Sequence, residues 1–252
     1  MIIRSRSDEW VLFNQHEHGM FTGQLARCWG DDIRLKRSGF TDVVTACFEH
    51  DRGWQVEDHV PRFNESEAMP YDFTSFPDPL KIPLYEKGIT EAALMNKRAG
   101  YLISQHLSSF YEAQTDDLAT KFKQQEEKRR RELWLSLDNQ DDLRYDLSVL
   151  RLLDEISLYV ALNEPGVNKE DEWPWFKRGF SQTFSFLGDQ TIEANWKDHQ
   201  SVTLHPFPFR TTVTVPHNYR TVKKTNDSPD DFLKAFQTSS LQTLWVTFKP
   251  VT

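Results

Sequence analysis

The chain has 252 residues and a formal net charge of -8, an acidic balance that argues against a general nucleic-acid or anionic-membrane binder. Its composition, 38% hydrophobic and 27% charged, is that of a globular domain with a polar surface, long enough to bury a sizeable core. No apolar run approaches the length of a membrane span. The first segment, Met1 to Glu9, lacks the apolar core of a signal peptide. Cys28 and Cys47 are too few for a disulfide framework and read as reduced core thiols, so a cytoplasmic location is expected.

Ile2 to Arg4 and Trp10 to Phe13 flank a polar turn, which predicts a β-hairpin. A first helix follows over about His16 to Trp29, ended by Gly30, and a second over about Thr41 to Asp51, broken by Gly53. The proline-rich stretch 54–83 reads as a long loop. Further helices are expected over about Ile89 to Ala113, Asp117 to Leu137 and Asp141 to Leu162. The mixed-charge run Lys123 to Arg131 reads as a solvated helix face. Beyond about residue 165 the pattern changes to short alternating runs: Thr191 to Trp196, Ser201 to Leu204, Thr211 to Val215 and Leu244 to Phe248. A short helix near Asp230 to Phe236 interrupts them. The expected fold class is therefore mostly α: a helical bundle with a small antiparallel β-sheet built from the C-terminal region and the N-terminal hairpin. The expected organisation is a hairpin over 1–15, a helical domain over 16–165 and a β-rich region over 166–252, packed as one compact unit.

The chemistry concentrates on the helical stripes. His18, Phe21, Leu25 and Cys28 share one face of the first helix. Val43, Cys47 and His50, overlapped by Val44, Cys47 and Asp51, form a stripe on the second. Ala99, Leu102, His106 and Phe110 form another, and Leu147, Leu150, Asp154, Ser157 and Ala161 the last. Metal-capable side chains thus stand where buried apolar ones are expected. An unpaired buried carboxylate costs several kcal/mol. A divalent cation satisfies carboxylates and imidazoles together, and this donor set suits Mn, Fe, Ni or Zn. A metal-free hydrogen-bonded network is the other reading. His16, His199, His205 and His217 read as rim or turn residues.

The order His18, then His50-Asp51, then Asp154 resembles the HD-domain superfamily of metal-dependent phosphohydrolases. That resemblance implies an HD-like helical bundle in which these four residues hold the metal. His106 matches an extra histidine that holds a second metal or hydrogen-bonds the phosphate or leaving group. Over most of its length the chain is also similar to a bacterial family of unknown function (domain of unknown function 3891). The similar segments include Trp10 to His18, Leu25 to Gly30, His50 to Trp54, Leu84 to Ile89 and Leu102 to His106.

The expected function is metal-assisted hydrolysis of a phosphate ester or nucleotide-like small molecule. His18, His50, Asp51 and Asp154 are the expected ligands, and His106 and Asp51 the catalytic groups. Arg52 and Arg98 would neutralise the phosphate, and the loop over 54–83, with Trp54, His59, Tyr71 and Phe73, would cover the pocket and set specificity. The alternatives are an oxygenase of HD type, which needs a second full ligand set, and a non-catalytic binding or interaction protein. The C-terminal aromatics Trp196, Phe207, Phe209 and Tyr219 would then offer a homodimer or partner surface.

Overall fold

The computed structural model describes residues 1–37, 39–224 and 228–251. Strands β1 (Ile2–Ser5) and β2 (Glu9–Phe13) form the expected antiparallel hairpin, with Ile2 opposite Phe13 and Arg4 opposite Val11. Successive strand residues face opposite sides. Ile2, Val11 and Phe13 enter the main core, while Ile3, Trp10 and Leu12 enter a smaller one with Val222, Phe232 and Phe236. The unbroken apolar run from Trp10 to Phe13 therefore belongs to a strand covered on both faces.

Next come α1 (Gln15–Ala26), the single turn α2 (Asp32–Leu35) and α3 (Phe40–Glu49). A 3-10 turn over Arg52–Trp54 leads into α4 (Gln55–His59), followed by a ribbon of β3 (Phe63–Asn64) and β4 (Met69–Pro70). The stretch expected as loop is thus partly ordered, and its end is helical. Helix α5 runs over Asp78–Met95, with Pro79 in the first turn, where a helix needs no N–H donor. The single helix expected from Ile89 to Ala113 is in fact the end of α5 plus α6 (Lys97–Ser109). Asn96 leaves helical geometry between them, and its side chain caps α6 by accepting from the Ala99 N–H. Helices α7 (Asp117–Trp134) and α8 (Leu143–Leu162) follow. The C-terminal part supplies β5 (Glu193–Trp196), β6 (Ser201–His205), β7 (Val213–Lys223), α9 (Pro229–Thr238) and β8 (Gln242–Pro250).

The sheet overturns the expected fold class. The structure is about 49% helix and 18% strand, and its strands join into one six-stranded, curled half-barrel in the order β1-β2-β7-β8-β6-β5. This is a major layer of the molecule, not a small sheet attached to a helical bundle. Nor is it purely antiparallel, because β6 runs parallel to β8. The underestimate has a local cause. Strand β7 continues through Pro216, Asn218 and Arg220, residues that break the alternating pattern, and this extension reaches β2, pairing Leu12 with Arg220 and Glu9 with Lys223.

His217 sits in that extension and is fully buried, not near a turn as expected. Its ring lies 4.5 Å from the Phe13 ring and 4.6 Å from that of Phe21, and neither ring nitrogen has a hydrogen-bond partner.

Helix α1 packs on β7 and α8 packs on β1. Arg4 of β1 donates to the carbonyls of Val160, Ala161 and Asn163, at 3.3, 3.4 and 2.5 Å, so a cation closes the C-terminus of α8. Helices α1 and α3 cross closely at two glycines of α1. A Cβ on Gly19 would stand 2.8 Å from the Phe48 carbonyl oxygen, and one on Gly23 would stand 2.2 Å from the Phe48 ring. The 3-10 turn meets α5 the same way: a Cβ on Gly53 would stand 2.0 Å from the Leu84 carbonyl oxygen. Among the described residues no helix is long and apolar enough to cross a membrane.

Gly19→Ala is expected to destabilise the fold by about 1–3 kcal/mol through overpacking against backbone. The urea midpoint at unchanged m checks this. A second expectation concerns acid. Burial depresses the His217 imidazole well below its ordinary 6.5. The unfolded chain therefore takes up this proton first, so stability is full above about pH 6.5 and falls as the pH drops below it. His217→Phe should lose less stability than the parent between about pH 7.5 and about pH 5.5. Equal losses in thermal melts of the two proteins would refute that assignment.

Candidate metal centre

Four elements carry the polar residues inward. His18 projects from α1, His106 from α6 and Asp154 from α8, and each is buried. His50 ends α3 and Asp51 follows it at φ -107° and ψ 18°. Adjacent side chains on a continuous helix diverge by about 100°. Because the chain leaves the helix at Asp51, the pair instead faces one point, with His50 Nε2 3.6 Å from Asp51 Oδ2. Gly53 allows the departing chain to lie directly on α5, which sets Tyr85 beside the pair.

The five side chains meet. Ligand atoms of His18, His50 and Asp51 all lie within 4.8 Å of one another. Asp154 Oδ1 is 2.7 Å from His18 Nε2 and 3.6 Å from His50 Nε2, while His18 Nε2 is 3.9 Å from Asp51 Oδ2. His106 approaches from the other side, with Nε2 3.4 Å from Asp154 Oδ2. Around one ion with bonds of about 2.1 Å, neighbouring ligand atoms stand about 3.0 Å apart in octahedral and about 3.4 Å in tetrahedral geometry. The observed separations bracket those values.

His50 is the sharpest test of fit. Its Nδ1 is 3.0 Å from the Cys47 carbonyl oxygen, so Nδ1 carries a proton and Nε2 is the nitrogen left to take a ligand. That Nε2 is buried and has no hydrogen-bond partner. It points at two carboxylates, as a metal ligand would. Burial lowers the His50 imidazole, but the nearby carboxylates of Asp51 and Asp154 outweigh it and raise it to about 9. Burial pushes Asp154 up, yet the imidazoles of His106, His18 and His50 around it hold it well below the usual carboxylate range. The cluster therefore attracts positive charge, and the donor set fits a divalent ion.

The gap between these residues measures about 30 Å³, the room of one water or ion. It is continuous with a cavity of about 570 Å³, an ordinary size for a small-molecule site. Tyr85, His106, Phe110 and Asp154 line both spaces.

Of the residues expected to meet substrate, Arg52, Arg98, His59 and Trp54 lie outside these two spaces. Arg52 donates to Glu49 and Glu91, at 3.0 and 2.8 Å. Arg98 is buried against Asp146 and the carbonyls of Asn139 and Asp141, where with Arg37 it joins α6 to the start of α8. His59 is exposed and bonded to the Gln55 carbonyl. Trp54 is buried edge-on against Phe76, at 5.1 Å, and Tyr85, at 6.0 Å, so it backs the wall that Tyr85 presents. The sequence reading missed Gln15, Tyr85 and Arg151. Tyr85 fell between the stretch 54–83 read as loop and the helix expected from Ile89. Arg151 had a usable signal, since it precedes Asp154 by three residues on one helix.

A family model described as "Protein of unknown function (DUF3891)" matches residues 1–224, and the chain belongs to that family. No curated protein and no solved structure matches it.

With His50 raised to about 9, a divalent ion must displace its proton. Mn affinity is expected to rise roughly tenfold per pH unit from about pH 6.5 to about pH 8.5. Titration of the metal-free protein followed by Mn paramagnetic resonance reads this slope. A flat profile would show that His50 is not a ligand.

Proposed function

We propose that this protein is a metal-dependent hydrolase of phosphate monoesters. The observation that carries the reading is the unpartnered His50 Nε2, left to take a ligand by the Nδ1 bond to Cys47 and aimed between Asp51 and Asp154. His18, His50, Asp51 and Asp154 would hold one divalent ion. Their order along the chain, which resembles that of the HD-type phosphohydrolases, supports the assignment. When bound, the ion supplies a water of lowered pKa and polarises a phosphoryl oxygen.

The chain's own groups do the rest. Asp51 accepts one proton from the attacking water, whose oxygen bonds to phosphorus as the ester P–O bond breaks. His106, at the junction of the two spaces, delivers a proton from Nε2 to the departing oxygen. The products are an alcohol and hydrogen phosphate. Proton exchange with solvent then returns Asp51 and His106 to their starting states. Tyr85, kept neutral because burial first, and then the charges of Asp51 and other neighbours, push its phenol well above its ordinary value, stays a hydrogen-bond donor beside the phosphoryl group. The oxygenase alternative needs a second ligand set, and among the described residues the one such group is His18, His50 and Asp51.

Elemental analysis of the purified protein and turnover of p-nitrophenyl phosphate with added Mn or Ni test the reading. His50→Ala and Asp154→Ala should lose metal and more than about a hundredfold in kcat/KM while keeping the parent circular dichroism. His106→Gln should keep the metal and lose about a hundredfold or more in kcat. A protein that takes up no divalent ion, or ligand variants that turn over like the parent, would sink the proposal.

A further inference from the structure

Two basic side chains of the described residues line the cavity beside the metal centre. Lys81 is held by the Phe73 carbonyl at 3.3 Å and by Asp78 at 3.1 Å. Arg151 lines the same cavity from α8, half-buried, and among the described residues no hydrogen bond or ion pair engages its guanidinium. Its acidic neighbour one turn on, Glu155, gives both carboxylate oxygens to Ser181. Arg151 stands three residues before Asp154, a spacing that puts the two Cβ atoms about 5–6 Å apart on one helix face. A guanidinium on that stem reaches an anion seated at Asp154.

The cavity also exposes aromatic surface. Phe110, about half exposed, lies edge-on to the His106 ring at 4.9 Å. Across the cavity Phe73 and Trp175 form an edge-to-face pair at 6.3 Å, with Trp175 also about half exposed. Flat apolar groups gain by covering such rings. The remaining charged lining, Glu112 and Glu155, is acidic and disfavours a second anion further out.

We infer that the substrate class of this site is a phosphate monoester with an uncharged, planar aromatic body. Arg151 holds the phosphate in a bidentate pair, and Phe110 with Phe73 and Trp175 covers the ring. This rests on the hydrolase reading above for the chemistry, but the recognition itself is a matter of binding. It replaces Arg52 and Arg98 as the phosphate cations, because both of those pair with protein carboxylates and lie outside the cavity.

Equilibrium binding of non-hydrolysable probes to the metal-loaded protein tests it, read by titration calorimetry and by tryptophan fluorescence. Phenylphosphonate should bind more tightly than methylphosphonate, by roughly fivefold or more. Arg151→Gln should weaken both probes by about tenfold or more. Phe110→Leu should weaken phenylphosphonate and leave methylphosphonate unchanged. Thermal melts matching the parent establish that each variant is folded, and neither residue is buried enough to threaten that. Binding of neither probe, equal binding of both, or an Arg151→Gln protein that binds like the parent would overturn the inference.

The two readings fail separately. If phenylphosphonate binds through Arg151 but phenyl phosphate is not hydrolysed, the hydrolase reading falls and the recognition site stands. If phenyl phosphate is hydrolysed with unchanged kcat/KM in Arg151→Gln, the hydrolase reading stands and this inference falls. If the protein takes up no metal, phosphonate binding to the metal-free chain decides the inference alone.

Discussion

Asp51 and Asp154 are both buried, and three buried imidazoles surround them. Carboxylates in such a place lose the water that would stabilise their charge, a penalty of several kcal/mol each. The His18–Asp154 hydrogen bond recovers part of it. The rest must come from positive charge inside the cluster, and the metal-free protein has one ready source: a proton on His50, whose pKa is raised to about 9. That proton and a divalent ion are alternative answers to the same electrostatic demand. An ion would answer it more fully, because His50 Nε2, which has no hydrogen-bond partner among the described residues, could then serve as a ligand.

Holding such a cluster together is a packing problem before it is a chemical one. Ligand atoms within 4.8 Å of one another must come from helices that touch closely. Gly19 and Gly23 let α1 settle on Phe48 of α3, which brings His18 beside His50. Gly53 lets the chain leaving Asp51 lie against α5. These glycines act by leaving out a Cβ where backbones approach, and none of the three has a positive φ that would demand glycine for itself.

The helical stripes made the cluster legible. His18, His50, Asp51, His106 and Asp154 each interrupt an apolar face, and periodicity alone placed them inward. Much else was not legible. Strand β7 reads as a short run ending at Val215, because Pro216 and the polar residues after it look like a turn. Its pairings with β8, as far as Tyr219, and with β2, as far as Lys223, show that it continues. The hairpin joins the sheet as expected, but through this extension, so local pattern underestimated the sheet and overstated the bundle. The cavity walls were only partly legible. Phe73, from the stretch 54–83, lines the cavity as expected, but Tyr85 and Trp175 lie where no periodic pattern marks an inward face, and the expected phosphate cations Arg52 and Arg98 pair with protein carboxylates instead.

The sheet explains why the ligands can sit in helices at all. It contributes no metal-capable side chain to the cluster, yet α1 packs on β7 and α8 is tied to β1 through Arg4. Those two helices carry His18 and Asp154, the closest contact in the centre at 2.7 Å. The cavity shares α8 with the cluster, through Arg151, Asp154, Glu155 and Leu158, but its other walls are α5, the end of α6 and the irregular segments around Phe73, Trp175 and Ser181. The polar cluster is therefore tied to the sheet, while most of the cavity wall hangs on loops and on helices away from it. Such an arrangement lets those walls change without disturbing the cluster. Arg151 stands where the two parts meet: its backbone belongs to α8, three residues before Asp154, and its side chain lines the cavity.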